Sequence, residues 1–233
     1  SILALTTKSA NDIASALAEF MTGTEREFAK AMTQQARLLG MINTVFRNAS
    51  GLPHSQQKTT ALDMTILGRA LYTDFPHYCH FFSKRKFTFR GKTYRTHNNL
   101  LGVYRGVNGI KTGYIRASGY HLMVSGIHNQ HQIIAVVMGG KTARSRDNQM
   151  KRLLDRAYSA LDRNDQLLRK VIVPTGIPPK PDRHTNSASD KNTEISDTGA
   201  TAIAAVEKMQ TQSASLWAVQ LGAFTKERAA RLL

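Results

Sequence analysis

Three consecutive residues near the middle of this chain, Lys111-Thr112-Gly113, put a cation, a hydroxyl and a bare backbone position side by side, just ahead of strand-like sequence. Such a trio suits an anionic, peptide-like ligand. The ammonium supplies charge, the threonine supplies a hydroxyl and backbone groups, and the glycine lets a ligand approach without meeting a Cβ. A peptide can lie along such a segment as an added strand. Alone, the tripeptide is weak evidence, because chance produces it often. A second constellation, Ser9-Ala-Asn11, stands about a hundred residues earlier, just ahead of a helical pattern. By itself it reads as a helix cap followed by a first-turn residue.

The elements that must position these groups follow from periodicity. Apolar residues recur at helical spacing through Asn11 to Met21 (Ile13, Ala16, Leu17, Phe20), and Gly23 breaks the pattern. A second helix is expected from Thr24 to Leu39, stopped by Gly40, and residues 43–58 read as loop. Thr59 or Thr60 can cap a third helix running from Ala61 to about Tyr72. The period then changes to two: Lys86 to Tyr94 reads as a hairpin turning at Gly91. Two further strands are joined at His128-Asn-Gln, and the apolar run Ile133 to Met138 predicts a central strand covered on both faces. Arg146 to Leu161 reads as an amphipathic closing helix. Helices, then strands, then a helix imply an α+β layered fold. The first residues, Ser1 to Lys8, read as strand-like, and both ends read as cuts within a longer protein.

Composition shifts after Val173. The Pro-rich and then polar stretch predicts a flexible linker over 174–213, since it cannot bury enough apolar surface to offset chain entropy. Structure is expected to resume at 215–233, as a strand, a Gly turn and a helix start. The main body is assigned to 1–165.

Composition also narrows the function classes. One cysteine, Cys79, excludes an internal disulfide and a Cys-cluster metal site, and the neighbouring His77 and His80 lack zinc-motif spacing, so no metal and no cofactor is expected. No run is long and apolar enough to span a membrane, so any membrane association would be peripheral. With 32 Lys and Arg against 16 Asp and Glu, the formal charge is +16, which favours polyanionic partners. No nucleic-acid recognition motif accompanies that charge, and a nucleic-acid partner is not expected.

Lys-Thr-Gly together with Ser-x-Asn and Ser-x-x-Lys forms the signature set of penicillin-recognising serine enzymes. From Thr7 to about Leu161 the sequence resembles the low-molecular-weight penicillin-binding proteins, the serine-type D-alanyl-D-alanine carboxypeptidases. The resemblance is carried by Lys8-Ser-Ala-Asn-Asp12, Leu39-Gly-Met-Ile-Asn-Thr-Val-Phe46, Asn48-Ala-Ser-Gly-Leu52, Ala61-Leu-Asp-Met64, Val107-Asn-Gly-Ile-Lys-Thr-Gly113 and Ala135-Val-Val-Met-Gly-Gly140. It implies a β-lactamase/transpeptidase-like layered fold, incomplete at the N-terminus. It also implies release of terminal D-alanine from peptidoglycan stem peptides through an acyl-enzyme, inhibition by β-lactams, and a periplasmic or cell-envelope location. In that scheme Ser9 is the proton-relay hydroxyl and Asn11 orients the general-base lysine and the substrate amide. Lys111 holds the relay. Thr112 and Arg146 bind the terminal carboxylate, Gly113 gives clearance, and the Tyr114 N–H is an oxyanion donor. Asn108 stands where the family usually has Asp, and Ile115 where it usually has Thr.

Residues 215–229 resemble the start of a SPOR domain, a family that binds glycan strands of the bacterial wall. One element of the signature is missing. The family's Ser-x-x-Lys precedes Ser-x-Asn by several dozen residues, and only eight residues precede Ser9. Ser55-Gln-Gln-Lys58 and Ser83-Lys-Arg-Lys86 have the spacing but follow the element they should precede. The expectation is therefore an active parent enzyme and an inactive piece. The alternatives are a non-catalytic peptidoglycan-binding protein of the same fold and a related β-lactamase.

Overall fold

The computed structural model describes residues 1–163. The expected linker at 174–213 and the SPOR-like start at 215–233 lie outside the described residues. The chain begins with a helical turn, Ala4–Lys8, and continues into α1 (Asn11–Thr22), α2 (Glu25–Leu38) and α3 (Ala61–Asp74). A short 3-10 helix, Pro76–Phe81, leads into a hairpin of β1 (Lys86–Phe89) and β2 (Lys92–Arg95). The main sheet follows as β3 (Val107–Ile115), β4 (Gly119–His128) and β5 (His131–Gly140), and α4 (Ala143–Asp162) closes the described fold. Both sheets are antiparallel, and the larger has the order β3-β4-β5.

Local chemistry accounts for the boundaries. Thr24 and Thr60 cap their helices by accepting the N–H groups of Glu27 and Asp63, at 3.2 and 3.1 Å. Gly23, at φ 79°, terminates α1 in a backbone conformation that a Cβ disfavours. At the head of α4, Thr142 and Ser145 exchange side-chain and backbone hydrogen bonds as a reciprocal cap. This cap starts α4 three residues before Arg146, the expected start, and so places Arg146 inside the first helical turns.

The three-stranded sheet is covered on both sides. Leu122, Val124, Ala135 and Val137 pack with Met150, Leu153 and Leu154 of α4. On the other face Met123, Ile134 and Val136 pack with Ala61 and Tyr72 of α3. Glycine at residue 68 lets α3 lie close on the sheet, because a Cβ there would come within 2.7 Å of Ile134 and 2.9 Å of Met123 and force those side chains to shift. The doubly covered β5 expected from its apolar run is therefore present. Among the described residues no helix is long and apolar enough to cross a membrane.

Two further sequence expectations differ from the structure. The first residues are helical, because the Leu5 N–H bonds the Ser1 carbonyl and the Ala10 N–H bonds the Ala4 carbonyl; the apolar run alone could not distinguish strand from helix. Lys-Thr-Gly lies within β3 and not ahead of a strand. Gly109 and Gly113 dilute the strand pattern there, and pairing to β4 overrides it.

Asp63 ties the helical half together. It is 1% exposed, and its Oδ2 accepts the Asn43 N–H at 2.9 Å and the Thr44 hydroxyl at 2.6 Å. The loop after α2 is thereby fastened to the start of α3. Asp63→Ala removes the acceptor of both bonds, leaving the Thr44 hydroxyl only Thr59, and is expected to lower unfolding free energy by about 1–3 kcal/mol in urea denaturation. A loss below about 0.5 kcal/mol, the usual size of a surface substitution, would show that the carboxylate is not a structural tie.

Candidate active site

The site is organised by β3, an edge strand paired to β4 alone among the described residues. Its register sets Lys111 opposite Met123, Thr112 opposite Leu122, and Gly113 opposite His121. Met123 is anchored beneath α3, so Lys111 projects on the α3 side of the sheet. The Lys111 ammonium is partly buried and donates to the Thr112 carbonyl at 2.8 Å. It has no carboxylate partner among the described residues. Burial without a counter-charge lowers its pKa to about 8.

Gly113 behaves differently from the packing glycines. A Cβ there would come no nearer than 3.5 Å to any atom, the His121 side chain, which is ordinary contact. Nothing within the described fold requires glycine at this position. Gly109, four residues earlier, is tightly packed, since a Cβ would meet the Tyr72 hydroxyl at 2.6 Å and Phe82 at 3.2 Å. Tyr114 is 56% exposed, with its ring against Tyr120 at a centroid distance of 4.4 Å.

The amino-terminal residues reach this strand through the 3-10 helix and one loop. Thr6 donates to the Phe81 carbonyl at 3.4 Å, and Phe82 stacks on Tyr72 next to Gly109. Ser9 then takes a left-handed conformation (φ 60°, ψ 50°), uncommon for a residue with a side chain, and turns the chain into α1. Asn11, the first residue of α1, is exposed, and Ser9 is half-buried. Among the described residues, Lys111 bonds Thr112 and not Ser9.

The loop between the two sheets carries a residue that no motif marked. Asn98 is 3% exposed and donates to the Gly109 carbonyl of β3 at 3.3 Å. Asn99 donates to Asp147 of α4 at 2.9 Å. His97, just before this pair, has a lowered pKa, first from burial and then from the charges of Lys8, Lys111 and Arg146. One imidazole thus feels the residue before Ser9, the strand lysine and the helix arginine together. The available signal was the run His97-Asn-Asn99, three side chains able to bond in a connecting loop.

Arg146 is 2% exposed. Its Nε donates to Asp147 Oδ1 at 2.9 Å, and its Nη1 donates to the His121 carbonyl at 3.1 Å. Its Nη2 lies 2.7 Å from the same carboxylate oxygen, at an angle that leaves it without a hydrogen bond. It therefore keeps unpaired N–H donors on Nη2 beside its charge. Burial and that charge also lower the pKa of His121, whose Nδ1 accepts the Gly139 N–H at 3.1 Å.

The two Ser-x-x-Lys look-alikes have no helical support. Ser55 lies in an exposed turn, and Lys58 forms an isolated bridge to Val45. The Ser83 hydroxyl donates to the His80 carbonyl, and Lys86 opens β1. Cys79 donates to the Phe75 carbonyl at 3.4 Å, and burial raises its pKa to about 11, so it is a thiol and not a nucleophilic thiolate at neutral pH.

The chain is similar to known proteins over most of its described residues. The family model described as D-alanyl-D-alanine carboxypeptidase matches residues 2–142. The chain belongs to that family. It is 36% identical over 148 residues to D-alanyl-D-alanine carboxypeptidase DacA of Escherichia coli, a match covering 63% of this chain and 37% of the relative. The chain thus spans little more than a third of that relative's length. Among solved structures, penicillin binding protein 6B from Escherichia coli aligns with a TM-score of 0.63 and 33% identity, covering 66% of this chain and 49% of that one. Penicillin-Binding Protein D2 from Listeria monocytogenes, in its cefotaxime-bound form, aligns with a TM-score of 0.61 and 31% identity, covering 66% and 63%. The fold is therefore that of the penicillin-binding DD-peptidases, as the resemblance implied.

The Lys111 shift has a defined sign. Below pH 8 the folded chain holds a poorly solvated ammonium that the unfolded chain would hydrate freely, so the group opposes folding. Between about 8 and the ordinary lysine value of about 10.4, the folded form loses its proton first and the penalty is relieved as pH rises. Lys111→Met is expected to be more stable than the parent at pH 7 by about 1–3 kcal/mol in urea unfolding. That gap should narrow above pH 8; a gap that stays constant with pH would contradict the assignment.

Proposed function

We propose that this chain forms the substrate-holding part of a serine D-alanyl-D-alanine carboxypeptidase acting on bacterial peptidoglycan. The observation that carries the reading is Lys-Thr-Gly on an unpaired strand edge, with Gly113 glycine for no reason internal to the fold. A stem peptide would add to β3 as a further strand. Thr112 and Arg146, whose Nη2 has no hydrogen-bond partner among the described residues, would bind its terminal carboxylate, with the Lys111 ammonium adding positive charge beside them. The Tyr114 N–H would stabilise the oxyanion of acyl transfer, a role for which a single donor is worth about 3–4 kcal/mol. Ser9 and Asn11 would face the attacking group across the cleft.

That attacking serine is not one of the two look-alikes, and in this reading the 233-residue chain does not acylate by itself. A periplasmic site of action and a tether to wall glycan through residues 215–233 belong to the same proposal. A non-catalytic peptidoglycan-binding role is the second reading, favoured by the Lys111 ammonium being turned to Thr112 and not to Ser9.

Incubating this chain with a fluorescent penicillin should give no covalent label, and an adduct on Ser55 or Ser83 would overturn the assignment. Gly113→Ala should leave unfolding free energy within about 0.5 kcal/mol of the parent. In the complete protein the same substitution should slow penicillin acylation by at least about tenfold. A complete protein that binds muropeptides but neither acylates nor releases D-alanine would establish the non-catalytic reading instead.

A further inference from the structure

A second concave site lies outside the cleft at β3. The start of α2 and the loop that follows it enclose a cavity of about 470 Å³. Arg26, Ala29 and Lys30 line one wall. Being three and four residues apart, they share one face of α2. Phe46, Arg47 and His54 line the other wall.

The lining contains no carboxylate. Of the nearby acids, Glu27 bonds the Lys30 ammonium at 2.7 Å. Glu25 is engaged by the Ser15 hydroxyl at 3.2 Å and the Ala49 N–H at 2.9 Å. The Arg26 and Arg47 guanidiniums have no ion-pair partner among the described residues. The His54 Nδ1 accepts the Gln56 N–H at 3.1 Å, which puts the proton of the neutral ring on Nε2, available as a donor.

Folding alone disfavours this arrangement. Arg26 occupies the first turn of α2, where the helix dipole opposes a cation. Arg26 and Lys30 are like charges one turn apart. A concave wall of one sign focuses its field on whatever enters. With Lys30 paired to Glu27, the two guanidiniums remain without an ion-pair partner on the lining of the cleft, and guanidinium forks fit tetrahedral oxyanions in bidentate fashion. Phosphomonoesters are mostly dianionic at neutral pH, with a second pKa near 6. Ala29 and Phe46 add an apolar wall for the organic group of the ester.

We propose that this cleft binds a phosphomonoester, the phosphate between Arg26 and Arg47 and the organic group against Phe46. The proposal is independent of the function assigned to β3.

Calorimetric titration of the 233-residue chain with phenyl phosphate, inorganic phosphate and benzoate tests it. Phenyl phosphate is expected to bind most tightly, and the monoanion benzoate at least about tenfold more weakly. The double substitution Arg26→Ala with Arg47→Ala should weaken phenyl phosphate by at least about tenfold. Arg152→Ala with Arg156→Ala, which removes the same charge from exposed positions on α4, should leave it unchanged. Co-sedimentation with vesicles containing phosphatidic acid, lost in the Arg26/Arg47 variant, would identify a lipid headgroup as the source. Saturable binding in solution without co-sedimentation would identify a soluble ester, and either result supports the site. Equal weakening by the two double variants would reduce the effect to net charge and overturn the proposal. So would benzoate binding as tightly as phenyl phosphate, or no saturable binding. Unchanged far-UV circular dichroism of each variant separates lost binding from lost fold.

Discussion

An ammonium drawn partly out of water with only a carbonyl oxygen beside it is the constraint around which this structure is arranged. Lys111 has no carboxylate to offset its desolvation, so its position must be imposed by the surrounding fold. The imposition comes from the sheet. β3 is held by β4, β4 by β5, and helices pack on both faces of that platform. The close approach of α3 at Gly68 and the packing of α4 residues from Met150 to Tyr158 fix a surface that cannot yield to one unfavourable charge. A carboxylate in this place would offset the cost of desolvation but cancel the positive field along β3.

Much of this was legible in the sequence because the responsible forces act over short chain distances. Helical periodicity and threonine caps placed α2 and α3, and the uninterrupted apolar run of β5 announced a strand covered twice. Three features were hidden for physical reasons. The apolar opening residues satisfy strand and helix patterns equally, and backbone bonds to Ser1 and Ala4 decide for helix. The glycines of β3 conceal a strand that exists only because β4 pairs with it. Arg146 reads as a surface charge on a helix wheel, and only the folding of α4 against the end of β4 buries it.

The site residues divide in the same way. Lys111, Thr112 and Gly113 are contiguous and could be picked out as a trio. Ser9 and Asn11 are linked to them by the family resemblance and by a chain of tertiary contacts through Thr6, Phe81 and Phe82. His97 belongs to no spacing rule. Its place among three cations is a product of tertiary structure alone.

The adjacent amides of Asn98 and Asn99 reach in opposite directions, one to the strand bearing Lys111 and one to the helix bearing Arg146. A segment pinned at a single point could swivel in any direction, whereas two neighbouring pins leave only rotation about the line that joins them. The gap between strand and helix is therefore calibrated by one dipeptide. A strand slipping against the helix by a fraction of a residue would have to stretch one of these two bonds.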